Sequence, residues 1–277
     1  CSAAAWHKAA RIIKEGKVGK VVWGQGYYCR NNPLGEWNYD LDPGATSETV
    51  KWETWLGPVK HKIPLNAEHF FRWRKFYPYG AGLLSDLAPH RLHPLLLAAG
   101  SLEFPRRVVC LGARNIQSDQ LTPGALEREV PEHLQLLAEF TSGLTLMVAA
   151  STVNTRSPGF VIGGQKATLE LGAMGERLAL VPEKAFAGEI NPETLAGKKL
   201  QPNESLAAHE QNWFDCIRSN QPPNGNIDLA LRAQTVISLA EMSERLNLCC
   251  LFDGQTRRIT TGDGKLVEPL SYESERA

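Results

Sequence analysis

The chain has 277 residues, 43% of them hydrophobic and 22% charged, a make-up ordinary for a soluble globular protein with ample length to bury a core. Thirty basic residues balance thirty acidic ones, so no field draws nucleic acid or an anionic membrane, and no nucleic-acid partner is expected. No run of about eighteen apolar residues occurs, so no spanning helix is expected either.

The six cysteines (Cys1, Cys29, Cys110, Cys216, Cys249, Cys250) show no C-x-x-C spacing and read as small hydrophobes of a reducing compartment. That favours the cytoplasm. The sequence starts at Cys1 without methionine or a charged-then-apolar leader, and reads as a processed chain or a piece of a longer one. An export signal ahead of Cys1 stays open.

In chain order, residues 3 to 15 have high helix propensity, with Trp6, Ala9, Ile12 and Ile13 on one side and Gly16 as the stop. Lys20 to Arg30 is rich in β-branched and aromatic residues and reads as a strand. Its Gly24-Gln-Gly26 resembles the start of a dinucleotide fingerprint, but Cys29 replaces the third glycine and the glycines lie inside the strand. Residues 31 to 79 are irregular and aromatic, and five of the seven tryptophans lie between Trp23 and Trp73. Arg30, Asn31, Asn32, Trp37, Arg72, Trp73 and Arg74 combine flat rings with amides and guanidiniums, which suits a polyhydroxylated ligand. Loop packing by large apolar groups explains the tryptophans equally well.

The next stretch, Gly80-Ala-Gly-Leu-Leu-Ser-Asp86-Leu-Ala-Pro-His90-Arg-Leu-His93-Pro, opens on small residues and runs into an apolar helical tail that stops at Gly100. On one continuous helix Asp86, His90 and His93 share a face, so a carboxylate and an imidazole can meet each other or a common substrate atom. Pro89 and Pro94 each remove a backbone donor and predict a bend. A plainer reading makes Asp86 a helix cap and His90 a satisfied core histidine. Further on, Arg106 to Gly112, His133 to Phe140, Leu144 to Ser151, Phe160 to Gly163, Ala167 to Leu171 and Arg177 to Val181 read as strands, with 249–252 as a short last one. Residues 114 to 131 read as a polar outward loop, and Glu127 to Glu132 as a solvated face. Helices are predicted over Ser205 to Arg218 and Asp228 to Leu246, and residues 271 to 277 as a frayed tail.

Phosphate-loop, nucleophile-elbow and zinc-helix motifs are missing, and His90 and His93 lack a third ligand at sensible spacing, so no metal is expected.

Several motifs occur in a characteristic order: Arg11 to Val22, Trp55-Leu-Gly-Pro58, Phe71-Arg-Trp-Arg74, the Gly-x-Gly-x-x-x-Asp-x-x-x-His core at 80 to 90, Glu139 to Thr145, and His209 to Arg218. Together they resemble the C-terminal, substrate-binding half of the glucose-fructose oxidoreductase, inositol dehydrogenase and MocA-like family, over about residues 3 to 260. The resemblance implies an α/β (α+β) fold: an open, mostly antiparallel sheet with helices packed on one face, as in the dihydrodipicolinate-reductase-like C-terminal domain. It implies one substrate-binding and oligomerisation domain over 1–277, with 1–20 as connecting helix and turn and about 265–277 as tail. An N-terminal Rossmann domain carrying NAD or NADP would lie upstream of this chain.

The implied chemistry is oxidation or reduction at a hydroxyl-bearing carbon of a sugar or polyol. Asp86 and His90 stand at the family's catalytic positions, His90 exchanging the hydroxyl proton and Asp86 orienting it. Histidine titrates near neutrality and suits that exchange. His93 stands where the family often has a carboxylate, and it joins the substrate-binding set. The family's Glu-Lys-Pro lysine and glycine fingerprint are missing from this sequence, so the chain alone is expected not to turn over. The resemblance leaves two other readings, an NAD-dependent glycosidase of similar fold and a non-catalytic sugar-binding or oligomerisation module. A homo-oligomer formed through the sheet face is expected.

Overall fold

The computed structural model describes residues 1–60, 62–100 and 102–270; the expected frayed tail over 271–277 lies outside the described residues. Ten strands form one mixed sheet: β1 (Val21–Cys29), β2 (Pro105–Ala113), β3 (His133–Phe140), β4 (Thr145–Ser151), β5 (Phe160–Gly164), β6 (Ala167–Leu171), β7 (Arg177–Pro182), β8 (Glu193–Ala196), β9 (Cys250–Phe252) and β10 (Ile259–Thr260). Their order is β10-β9-β2-β3-β4-β1-β5-β6-β7-β8, and every described pair is antiparallel except β1 with β4. The expected open, mostly antiparallel sheet is therefore present. Sequence pattern reaches eight of its strands within a residue or two and misses β8 and β10, which are too short to show a period.

One face of the sheet carries the core. Val108, Cys110, Leu134, Leu136, Ala138, Leu146, Val148 and Ala150 point to it and are buried, while their strand neighbours Leu111, Leu137 and Trp23 lie on the open face, 77%, 50% and 40% exposed. Three helices lie on the core side. α1 (Ala4–Lys14) packs on α4 (Pro89–Ala99), α4 on β1, and α6 (Ile227–Leu246) on β2. Each fully buried leucine of α4, Leu92, Leu95 and Leu96, contributes on the order of 1.5–3 kcal/mol by leaving water.

Gly24 and Gly26 allow this approach. A Cβ on Gly24 would stand 2.9 Å from a Leu146 methyl, and one on Gly26 3.2 Å from the Arg91 Cβ and 3.3 Å from a Leu95 methyl. The Gly-x-Gly of β1 is thus a packing groove for α4.

The segment from Asn31 to Tyr79 contains α2 (Trp52–Leu56) and α3 (Ala67–Phe71) and is held down by buried charge. Lys75 is fully buried; its Nζ donates to Asn38 Oδ1 at 2.7 Å and Leu126 O at 2.6 Å, and lies 3.3 Å from Asp119. Arg128 grips both oxygens of Asp119 at 2.7 Å, and Arg72 pairs with Glu68. This network corrects one sequence expectation and refines another. Residues 114 to 131 are exposed over most of their length but pinned inward at Ser118, Asp119, Arg128 and Val130, and Glu127 to Glu132 is not a solvated face. Arg128 is 3% exposed and Glu132 fully buried, accepting from the amides of Ile116, Gln117 and Ser118 and from the Ser118 hydroxyl. Ionic partners at Arg128 and amide and hydroxyl donors at Glu132 compensate the burial of these polar residues, and periodicity carries no information about partners.

α5 (Leu206–Ser219) forms where the sequence places it, capped by the Ser205 side chain, but it has no buried residue. Leu206, Trp213, Phe214 and Ile217 are 73%, 55%, 46% and 61% exposed.

Candidate active site

The stretch from Gly82 to Ala99 is not one continuous helix. Gly82 enters at φ +52°, where a Cβ would strike Val130 at 2.5 Å, and a wide π-helical turn follows over Leu83–Leu87, closed by the Ala88 amide on the Leu83 carbonyl at 2.9 Å. Pro89 then starts α4 at its first position, where the missing amide costs nothing. Pro94 lies inside α4 and removes the amide that would have bonded the His90 carbonyl. Pro89 therefore separates Asp86 from His90, the acid on the wide turn and the imidazole in the first turn of α4.

His90 is exposed, with its ring centroid 5.8 Å from that of Tyr28 near the C-terminal end of β1. That excludes the reading of a satisfied core histidine. Asp86 caps no helix; its Oδ1 accepts from Arg74 Nε at 2.7 Å, with both side chains a quarter to a third exposed. Arg74 lies over the Trp73 ring, 4.3 Å from its centroid. Among the described residues no hydrogen bond joins Asp86 to His90, so Arg74 orients the acid in place of the imidazole.

His93 faces inward. Its Nδ1–H donates to the Pro89 carbonyl at 2.8 Å, and burial holds its basicity below the ordinary histidine value, which keeps it neutral near pH 7. Its interaction with α4 backbone settles its tautomer.

The expected substrate-binding residues divide into two groups. Arg30 pairs with Glu36 at 2.9 Å and stands 5.5 Å from the Tyr28 ring centroid, Asn31 is exposed and bridges Val153, and Trp73 and Arg74 are half-buried. These reach the surface. Asn32 turns its Oδ1 to the Leu34 amide at 3.2 Å and serves the turn. Trp37 is 1% exposed at φ +67°, with Arg128 5.9 Å from its ring centroid, and Arg72 is 6% exposed, bonded to the Tyr39 carbonyl and to Glu68. Both belong to the frame that holds the surface group.

Tyr28 and Arg91 were not found by sequence reasoning. Both belong to elements recognised as strand and helix, and nothing in the local pattern marks them. Only the packing of α4 on β1 sets the Arg91 guanidinium 4.9 Å from the Tyr28 ring, with Nε donating to the Tyr27 carbonyl at 2.7 Å.

The described residues do not form a dinucleotide cradle, because the space above Gly24 and Gly26 is taken by Leu146, Leu95, Phe160 and Arg91. No group of three His, Cys, Asp or Glu among the described residues is placed to hold a metal. A cleft of about 760 Å³ lies at the ends of β2 and β3 against α6, and its lining includes Tyr77, Arg114, Glu244 and Arg245. None of the residues around His90 lines it, and His90 stands on an open surface.

No protein-family model matches the sequence, and no curated protein matches it. Solved structures do match the fold. An NAD binding oxidoreductase from Klebsiella pneumoniae is 19% identical, with 90% of this chain and 63% of that one covered at a TM-score of 0.61. The chain shares its fold with oxidoreductases. An aldose-aldose oxidoreductase from Caulobacter crescentus complexed with glycerol is 16% identical, covering 90% and 61% at a TM-score of 0.62. An inositol dehydrogenase homolog from Azotobacter vinelandii, complexed with NADH and myo-inositol, is 13% identical, covering 91% and 62% at 0.56. The chain spans less than two thirds of the length of each. Among the described residues no helix is long and apolar enough to cross a membrane.

Proposed function

We propose that this chain is the substrate-binding and proton-exchanging half of an NAD(P)-dependent oxidoreductase acting on a hydroxyl of a sugar or polyol. The observation that carries this reading is the exposed His90 at the start of α4, beside Tyr28, with an oriented acid, Asp86, on the preceding turn. The shared fold supports it, since matched proteins carry NADH with myo-inositol in one case and glycerol in another.

In such an enzyme the nicotinamide takes or gives the hydride; this chain's own residues manage the proton and the fit. Among the described residues His90 has no hydrogen-bond partner on its ring nitrogens, which leaves it able to take the hydroxyl proton. Asp86, held by Arg74, would accept a hydrogen bond from the same or the adjacent hydroxyl. Trp73, Arg30 and Asn31 offer a ring face and polar donors to the rest of the ligand, with Asn32, Trp37, Arg72 and His93 behind them as frame.

A cofactor-bearing domain outside this chain fits two observations. The matched proteins extend well beyond the region covered, and α5 presents Leu206, Trp213 and Ile217 to solvent. The open sheet face, with Trp23, Leu111 and Leu137, suits a second copy of the chain, and a homo-oligomer belongs to the proposal.

The test is His90→Ala in a protein that includes the cofactor domain, assayed for NADH formation with a panel of sugars and polyols. A fall in kcat of roughly 10²–10⁴-fold is expected from loss of a proton-exchanging group. Unchanged turnover would remove His90 from the chemistry. Release of aryl aglycones without net NADH would replace the dehydrogenase reading with a glycosidase.

A further inference from the structure

Arg91 follows His90 in the first turn of α4 and is 9% exposed. Its Nε donates to the Tyr27 carbonyl at 2.7 Å and its Nη1 to the Ala173 carbonyl at 2.8 Å. Both partners are neutral. Glu176 and Glu204 act on it only through space, since Glu176 is turned to the Met174 amide at 2.9 Å and Glu204 to the Trp6 indole at 3.1 Å. Buried Arg72 and Arg128 differ, each gripping a carboxylate, Glu68 and Asp119.

A guanidinium withdrawn from water with carboxylates acting on it only at a distance gains from an anion in direct contact. Among the described residues the remaining nitrogen, Nη2, has no hydrogen-bond partner, and it is not sealed from solvent. It also lies beside the chemistry. The Tyr28 ring gathers Arg91 at 4.9 Å, Arg30 at 5.5 Å and the His90 ring at 5.8 Å, and the N-terminus of α4 has no side-chain cap to offset its positive end. Glu36 shares the charge of Arg30. Arg91 has no such carboxylate in contact among the described residues.

We propose that Arg91 is an anion-recognition residue next to His90, and that the substrate is a sugar or polyol carrying an oxyanion, such as the carboxylate of a sugar acid. This rests on the reading of the His90 surface as a sugar site. A neutral sugar would leave the guanidinium as it stands, whereas a carboxylate oxygen accepting from Nη2 would form a charge-assisted hydrogen bond in a partly desolvated place.

The 277-residue chain is titrated with D-glucuronate, D-glucose and D-glucose 6-phosphate, following its amide signals by NMR. Glucuronate is expected to bind about tenfold or more tightly than glucose, with the difference shrinking as salt is raised and signals near Tyr28 and His90 moving. A preference for the phosphate over the carboxylate would keep the anion site and assign it to phosphorylated sugars. Equal binding of glucose and glucuronate would overturn the inference and leave the sugar site standing, while no binding by any of the three would count against both. Arg91→Gln, checked for folding by thermal melting, should abolish the preference and retain glucose binding. If it retains the preference, Arg91 is not the anion receptor.

Discussion

Arg74 Nε donates to Asp86 Oδ1 at 2.7 Å, and that bond gives the acid a direction that His90 does not supply. The sequence pattern suggests an acid-imidazole pair on one helical face. In the folded chain the π turn ends at Pro89, a new helix begins, and the acid is turned toward an arginine stacked on Trp73. The consequence is a divided arrangement, an exposed imidazole and an arginine-held carboxylate, which under the proposed function would reach different parts of one hydroxylated substrate.

Replacing Arg74 separates these roles. The Arg74–Asp86 pair is a quarter to a third exposed, so Arg74→Met should change stability by no more than about 1 kcal/mol. In a protein that includes the cofactor domain, kcat/KM should fall on the order of tenfold or more, because Asp86 loses its orientation. Urea titration and steady-state kinetics read the two effects. Unaltered kinetics would show that Asp86 needs no partner.

The buried network under the aromatic segment should be far less tolerant. Asp119 is 2% exposed and faces Arg128 and Lys75, so Asp119→Asn leaves two cations poorly compensated and should cost about 3–5 kcal/mol. Burial by itself would raise the Asp119 pKa, but the Arg128 bonds and the Lys75 charge outweigh it and hold the carboxyl below its usual range. A depressed carboxyl stabilises the fold above its unfolded value near 4 and loses that contribution as pH falls through the lower folded value. Melting temperature measured from neutral pH into the acid range should drop in the native chain, and part of that drop should be missing in Asp119→Asn. Identical acid profiles would refute the assignment.

How legible this molecule is in its sequence depends on the kind of residue. The sheet-forming runs such as 133–140 and 144–151 show alternation because one face is buried, and Phe140 to Leu144 closes as the hairpin their spacing implies. Asp86 and His90 stand out through residue type and small neighbours. Their relation does not, since a π turn depends on a steric contact between Gly82 and Val130, which are distant in sequence. Trp37 and Arg72 look like ligand residues because rings and guanidiniums suit both sugars and buried ionic cores. Only Glu68, Tyr39 and Arg128 decide which use applies.

Gly82 is the position on which the wide turn rests. Gly82→Ala places a Cβ 2.5 Å from Val130 and holds an L-residue at φ +52° with ψ −120°. The expected loss is about 1–3 kcal/mol for the backbone strain, with the clash in addition. Gly82→Ala combined with Val130→Ala removes the contact but not the strain. If the double variant regains most of the stability that the single one loses, measured by urea unfolding against Val130→Ala alone, the Val130 contact governs; if it regains none, backbone strain governs. A single variant as stable as the native chain would contradict the geometry at Asp86.

α5 supplies the sharpest contrast between the isolated chain and a longer protein. Leu206, Trp213 and Ile217 form an exposed stripe, while the other side of the helix leans on the neighbouring turn through the Asn212–Asn224 bond at 2.9 Å. Replacing Trp213 and Ile217 by serine removes few contacts in this chain, so its stability should change by no more than about 0.5 kcal/mol per site. In a protein that carries a cofactor domain seated on this stripe, the same changes should lower the melting temperature and loosen the domains, seen as faster amide exchange over 206–219. The Trp213 emission, taken as the difference between native protein and Trp213→Phe because the chain has seven tryptophans, gives an independent reading: it should be solvent-like in the 277-residue chain and shift to the blue when the further domain is present. Solvent-like emission in both forms would leave the stripe uncovered and place the cofactor domain elsewhere.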